Sequence, residues 1–210
     1  MSYRLACEAG DPEKILIVER GTRYQPLQDF NNSEMEMMRK LYKEGGLQQT
    51  KKFTMSVLQG ECVGGTTVVN NSICIEMTNT VKDRWHNEFD IDLSKLDEEY
   101  SLIADELEIK ELTENGINRN VMERFKKGVS GYNSGSAEKL ISIFPLKANY
   151  RNLTGDENWN LGNKKQRKRT MLETYLPWSE SRGVKIISNI TAVKFNESNG
   201  KAEHVILRTD

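Results

Sequence analysis

Apolar and polar positions alternate in blocks that read as an α/β chain. Residues 14–19, Lys-Ile-Leu-Ile-Val-Glu, hold four apolar positions in a row closed by an acid, the pattern of a buried strand. Residues 3–9 before it read as the end of a helix, with Gly10 as its C-terminal stop and Asp11-Pro12 as a turn. Helix, turn and apolar strand together make an α/β unit. Residues 33–44 form a polar-rich helix, with Ser33 and Glu36 spaced as a capping box and Gly45-Gly46 ending it. Residues 50–59 fit no single period. In residues 94–108, Leu96, Tyr100, Ile103 and Leu107 recur at helical spacing behind a Ser94 cap. A further helix is expected over 117–127, and residues 128–165, rich in Gly, Asn, Ser and Lys, read mostly as loop. Thr170 and Glu173 make a second capping box opening a helix that Pro177 kinks or restarts and Gly183 ends. Val184–Ile187 reads as a strand. Residues 190–195 and 203–208 read as two more, joined by a hairpin turn at Glu197–Gly200.

Composition narrows the function classes. The 210 residues carry 30 Lys and Arg against 31 Asp and Glu, a net charge of −1. That balance argues against dispersed nucleic-acid binding and against attraction to an acidic membrane. No apolar run approaches the roughly 20 residues that span a bilayer. Glu8, Asp11 and Glu13 interrupt any signal-peptide pattern. Cys7, Cys62 and Cys74 have no metal-ligand spacing, and an odd count suits reduced thiols, so the default location is cytoplasmic. His86 and His204 stand far apart, and neither has the neighbours of a catalytic triad or a zinc site.

Three segments carry candidate chemistry. Glu19 closes the apolar strand; in dinucleotide-binding folds an acid there accepts hydrogen bonds from ribose hydroxyls, and otherwise it is a solvated acid. In Val63-Gly-Gly-Thr-Thr-Val-Val-Asn-Asn71, paired glycines admit a ligand close to the backbone, and the threonines and asparagines offer polar groups. The alternative is a glycine turn before a β-branched strand. Lys164-Lys-Gln-Arg-Lys-Arg169 could be a nuclear-localisation or nucleic-acid patch. The charge balance favours a solvated run ahead of a helix. Trp85-His86 reads as surface or packing.

Taken in order, these pieces resemble the glucose–methanol–choline (GMC) family of flavoprotein oxidoreductases. Ala6–Gly21 is similar to its helix–strand–Glu-Arg-Gly element, and Leu58–Met77 to its Gly-Gly-[Ser/Thr]-[Ser/Thr]-x-x-Asn flavin segment. Arg167–Phe195 is similar to the helix and strand that return to the flavin domain. The wording is closest to the branch of long-chain alcohol oxidases and related dehydrogenases. The resemblance implies an incomplete Rossmann-like FAD-binding domain, a parallel sheet with helices and a small antiparallel β element. It implies that Glu19 binds the adenosine ribose of FAD, with Arg20 and Gly21 beside the adenine. Val63, Gly64, Gly65 and Thr66 would line the pyrophosphate and isoalloxazine side. Asn70 and Asn71 would sit near the flavin ring, and Ile190 or Ala192 would clasp the adenine edge. The implied activity is oxidation of the CH–OH group of a small-molecule alcohol, with hydride passing to the flavin.

The family pattern also has a strand with a G-x-G-x-x-G loop before the first block, and a C-terminal substrate domain with a catalytic His. Neither motif occurs in these residues, so no catalytic residue is carried over and no metal is implied. The chain is therefore expected to be a piece of a flavoprotein. Residues 1–80 and 166–210 would supply parts of the FAD domain and 81–165 a helical and loop insertion. The isolated chain would be inactive and would bind FAD weakly or not at all. The alternatives are a non-catalytic binding or interaction module on a decayed flavoprotein scaffold, or one half of a split enzyme completed by a second chain.

Overall fold

The computed structural model describes residues 1–112, 119–135, 140–144, 146–151 and 159–209. In chain order the elements are α1 (Ser2–Glu8), β1 (Leu16–Val18), α2 (Pro26–Asp29), α3 (Glu34–Leu41), α4 (Thr66–Val69), β2 (Ile73–Cys74), α5 (Asn79–Phe89) and α6 (Leu96–Glu106). They continue with β3 (Lys110–Glu111), α7 (Arg119–Gly135), β4 (Lys147–Ala148), α8 (Tyr175–Glu180), β5 (Lys185–Ile187), β6 (Ile190–Ser198) and β7 (Lys201–Thr209). The chain divides into two compact units, 1–71 with 158–210, and 72–157.

The first unit has the α/β character expected of it. β1 and β5 pair in parallel, with Leu16 opposite Lys185 and Val18 opposite Ile187. Leu16 is half exposed, so the strand is not the fully buried one its apolar run suggests; among the described residues it has β5 as its one sheet neighbour. α1 packs on α8. Tyr3, Tyr175 and Trp178 meet there, with ring centroids 5.1–5.8 Å apart. α1 ends at an extended Ala9, without a left-handed Gly10. The β6–β7 hairpin runs longer than its apolar pattern and turns on Asn199-Gly200.

The core of this unit is built around the glycine segment. Phe30, Met37, Leu41, Tyr42, Cys62, Val63, Val68, Val69, Leu161 and Leu172 form one buried cluster. α3 contributes its apolar stripe, Met37 and Leu41. The Ser33–Glu36 capping box does not form. Ser33 makes no side-chain cap, its amide takes Asn31 Oδ1, and Glu36 pairs instead with Lys40 at 2.8 Å. The second box closes only a turn: Glu173 accepts from the Thr170 amide and hydroxyl, while α8 begins later, at Tyr175. Pro177 then falls in the first turn of α8, where its missing N–H is harmless.

The second unit holds β2, β4 and β3 in an antiparallel sheet, in that order. Lys82 of α5 pairs with Asp97 of α6, and the Tyr100 hydroxyl accepts the Met77 amide. α6 is the expected helix, but its N-cap position falls on Lys95 rather than Ser94 and carries no side-chain cap. α7 continues to Gly135, well into the stretch that reads as loop. Asn133 anchors its last turns by a reciprocal amide pair with the Ile141 backbone. Residues 117–118 of the expected helix, and 136–139, 145 and 152–158 of the expected loop, lie outside the described residues. No described helix is long and apolar enough to cross a membrane.

Leu41 has no exposure and Leu47 is 81% exposed. Leu41→Ala should lower stability by about 3 kcal/mol and Leu47→Ala by less than about 0.5 kcal/mol, read from urea midpoints.

Candidate functional site

The C-terminal end of β1 is fixed from two directions. The Glu19 amide donates to Ile187 O at 2.9 Å, and the Ile190 amide donates to Glu19 O at 3.1 Å. Glu19 is therefore stitched to both the end of β5 and the start of β6. Its Oε1 accepts the Gly21 amide at 2.7 Å, and no described residue donates to Oε2. Arg20 is held by Glu61 at 2.5 Å. Gly21 is buried against the glycine segment; a Cβ there would stand 2.4 Å from the Cys62 nitrogen. The Thr22 carbonyl accepts the Val63 amide at 3.0 Å. The acidic strand end and the glycine segment, 41 residues apart at Arg20 and Glu61, thus share one seam.

The glycine segment turns sharply. Gly64 and Gly65 have φ of 99° and 56°, the region that favours glycine. They serve different ends. A Cβ on Gly64 would meet Val68 Cγ2 at 2.8 Å, whereas Gly65 has nothing within 4 Å and opens to the surface. Thr66–Val69 then form one helical turn, α4, in place of the β-branched strand. The cause is tertiary: in that turn Val68 and Val69 both reach the core. The Thr66 hydroxyl accepts the Gly60 amide at 3.1 Å. Asn70 and Asn71 are exposed at the exit.

What holds that exit was not visible in the sequence. Lys168, 1% exposed, lies beneath α4. Its Nζ donates to Val68 O and Asn70 O at 2.8 Å and to Trp159 O at 2.9 Å. Three carbonyls match the three protons of an ammonium. The expectation of a fully solvated basic run therefore fails: Lys168 is buried, and Arg167 and Arg169 are half-buried. Lys164 and Lys165 are exposed, while Arg169 lies over the Trp178 ring at 5.8 Å. Asn163 braces the loop, donating to Lys168 O at 2.9 Å and to Glu173 at 3.3 Å. The Thr67 hydroxyl donates to Gly64 O at 2.6 Å and accepts the Met171 amide at 3.0 Å. The Tyr42 hydroxyl donates to Asn160 O at 2.6 Å. The one available signal for Lys168 was its place two residues before the capping-box threonine, at the edge of an apolar-periodic stretch.

Burial dominates the electrostatics. It pulls the Lys168 ammonium down to about 7, against the opposing pull of the Glu173 carboxylate and Cys62. It pushes the Cys62 thiol up to about 12, with the Glu19 charge adding to the effect. It also raises the Glu173 carboxyl, against hydrogen bonds from Thr170 and Asn163 that favour its ionised form. These groups are structural in setting: a buried, protonated Cys62 is a poor nucleophile. His86 lies on α5 in the second unit, with Nδ1 3.4 Å from Ile91 O. No group of His, Cys, Asp and Glu suited to a metal occurs among the described residues.

The first unit thus brings together a parallel strand pair, an acid at its end and a glycine turn beside it. Residues 38–210 match the family model described as GMC oxidoreductase, and the chain belongs to that family of FAD-dependent enzymes. A long-chain-alcohol oxidase of Arabidopsis thaliana is 36% identical over 72 residues, 34% of this chain. The matched stretch spans about a tenth of that relative's length.

The buried ammonium makes stability depend on pH with a definite sign. The folded chain releases the Lys168 proton near 7 and the unfolded chain near 10.5, so the unfolded state binds more protons between those values. Stability should therefore rise from pH 7 to pH 9 by about 2 kcal/mol through this group. Urea midpoints at the two pH values should show that rise in the native chain and lose it in Lys168→Met.

Proposed function

We propose that this chain supplies one wall of the FAD site in an oxidoreductase acting on CH–OH donors. The observation that carries the reading is the shared seam: Gly21 closes on Glu61 and Cys62 while the Ile190 amide closes on Glu19. Three segments that are distant in sequence thereby present one surface.

The residues fit the cofactor. The Glu19 oxygen without a described donor suits a ribose hydroxyl, a charge-assisted bond of the strong kind. Arg20, fixed by Glu61, and Gly21 would flank the adenine. Val63 to Thr66 would run along the pyrophosphate and isoalloxazine side, where the open face of Gly65 lets a ligand approach the backbone. Asn70 and Asn71, both exposed, would sit near the flavin ring. With the Ile190 amide engaged by Glu19, the carbonyl of Ile190 and the backbone of Ala192 are what remain for the adenine edge. Residues 1–80 and 166–210 would thus belong to the FAD domain and 81–165 to an insertion. When bound, FAD would supply the two-electron acceptor for alcohol oxidation. The relative's name, an alcohol oxidase, supports an alcohol as donor.

These 210 residues contain no G-x-G-x-x-G loop. Several backbone bonds to a charged pyrophosphate, each worth about 1.5–3 kcal/mol, are then lacking. The chain alone should bind FAD weakly, with Kd on the order of 0.1–1 mM, and should not oxidise alcohols. Titration of the purified chain with FAD, followed in the visible band, checks this. Saturable uptake weakened about tenfold by Glu19→Gln is expected. Equal uptake by the two proteins would remove Glu19 from the site, and no uptake at all would remove the site from this chain.

A further inference from the structure

We propose that Lys168 is the positioning residue of this site, holding Gly64–Asn71 in the shape that faces the flavin; the flavin half of the statement rests on the reading above. The segment cannot hold that shape by itself. α4 has four residues, far short of the dozen or so at which an isolated helix becomes even marginal. Its last carbonyls have no helical partner, and two of the carbonyls at this exit, Val68 O and Asn70 O, turn inward to Lys168. A cation at a helix C-terminus also meets the negative end of the helix dipole.

Lys168 does more than cap. Its third bond, to Trp159 O, ties the exit of α4 to the start of the returning stretch. From that same stretch the Met171 amide reaches Thr67, whose hydroxyl holds Gly64 O. The returning stretch therefore grips the glycine segment at both ends, through hydrogen bonds at the entry and through one ammonium at the exit. The groups facing Lys168 are the Glu173 carboxylate and the Cys62 thiol, the latter protonated at neutral pH. Glu173 supplies the countercharge, and its own position is fixed by Asn163 and Thr170. Lys168 is 1% exposed, so it acts through the backbone it holds.

The test uses the whole 210-residue chain with two substitutions. Lys168→Met keeps the stem and removes the ammonium; Lys168→Arg keeps charge and donors. Amide hydrogen exchange is read at 64–71, with 16–18 and 37–41 as internal references. Lys168→Met should speed exchange at 64–71 at least tenfold beyond any change at the references, and Lys168→Arg should recover part of the protection. FAD titration of the same proteins should show affinity falling about tenfold in Lys168→Met, with Lys168→Arg between. Loosening spread evenly over all three regions, or none at 64–71, overturns the role. So does local loosening with unchanged FAD affinity. If Lys168→Met gives no cooperative melt, Lys168→Arg decides alone: a disturbance confined to 64–71 supports the role and an even one overturns it. If the native chain takes up no FAD, the flavin reading falls by itself, and the exchange pattern alone decides whether Lys168 positions the segment.

Discussion

The backbone between Cys62 and Asn71 must reverse direction, bury four apolar side chains and leave one face open. Those demands conflict. Val63, Val68 and Val69 pull the segment into the core beside Cys62, and the carbonyls around Val68 and Asn70 are carried inward with them. An inward carbonyl without a partner costs about 1–3 kcal/mol. Lys168 resolves the conflict with one side chain and three hydrogen bonds. Much of the first unit follows from that placement. Asn163, Thr170 and Glu173 brace the loop that carries Lys168, and Tyr42 ties the same loop to α3.

Burying a charge is itself costly, and the fold shows how the cost is kept down. All three ammonium protons have carbonyl partners, and a carboxylate stands nearby. Replacing such an arrangement with apolar groups often leaves stability unchanged or higher. Retaining it therefore points to shape rather than stability. An apolar filler at 168 would pack against Val68 but could not direct the carbonyls of Val68, Asn70 and Trp159 to one point. The same logic distinguishes the two glycines. Gly64 is small because Val68 and Leu172 crowd it, whereas Gly65 is small with nothing beside it. The first serves the core and the second leaves the outer face clear.

Legibility in the sequence followed the range of the interaction. β1, β5 and α6 each rest on local period and turn chemistry and stand where their patterns put them, while the terminal hairpin forms there with strands longer than its pattern. Ser33 and Glu36 have the right spacing for a capping box, but Asn31 and Lys40 compete for them and win. α7 reads as loop beyond residue 127 because Gly128, Gly131 and Gly135 each disfavour helix by about 1 kcal/mol. The Asn133 pair with the backbone of Ile141 is an interaction that no propensity encodes. α4 is the sharpest case, since two threonines and two valines prefer strand until both valines are needed in the core.

The site divides along the same line. Glu19, the two glycines and Asn70 stand in motifs whose residue types carry their chemistry, so they could be singled out without a structure. Ile190 and Ala192 left a register open because backbone atoms, not side chains, would make the contact. Glu19 takes the Ile190 amide, which leaves the Ile190 carbonyl and the Ala192 backbone both open. Lys168 lay hidden for a different reason. In a run of five basic residues every member looks solvated, and composition cannot tell which one turns inward. Only the fold separates it from Lys164 and Lys165, by bringing carbonyls from about 100 residues earlier within reach of a single Nζ. A buried cation in such a run is set by long-range backbone demand, and the place to look for it is opposite a short helix whose end turns inward.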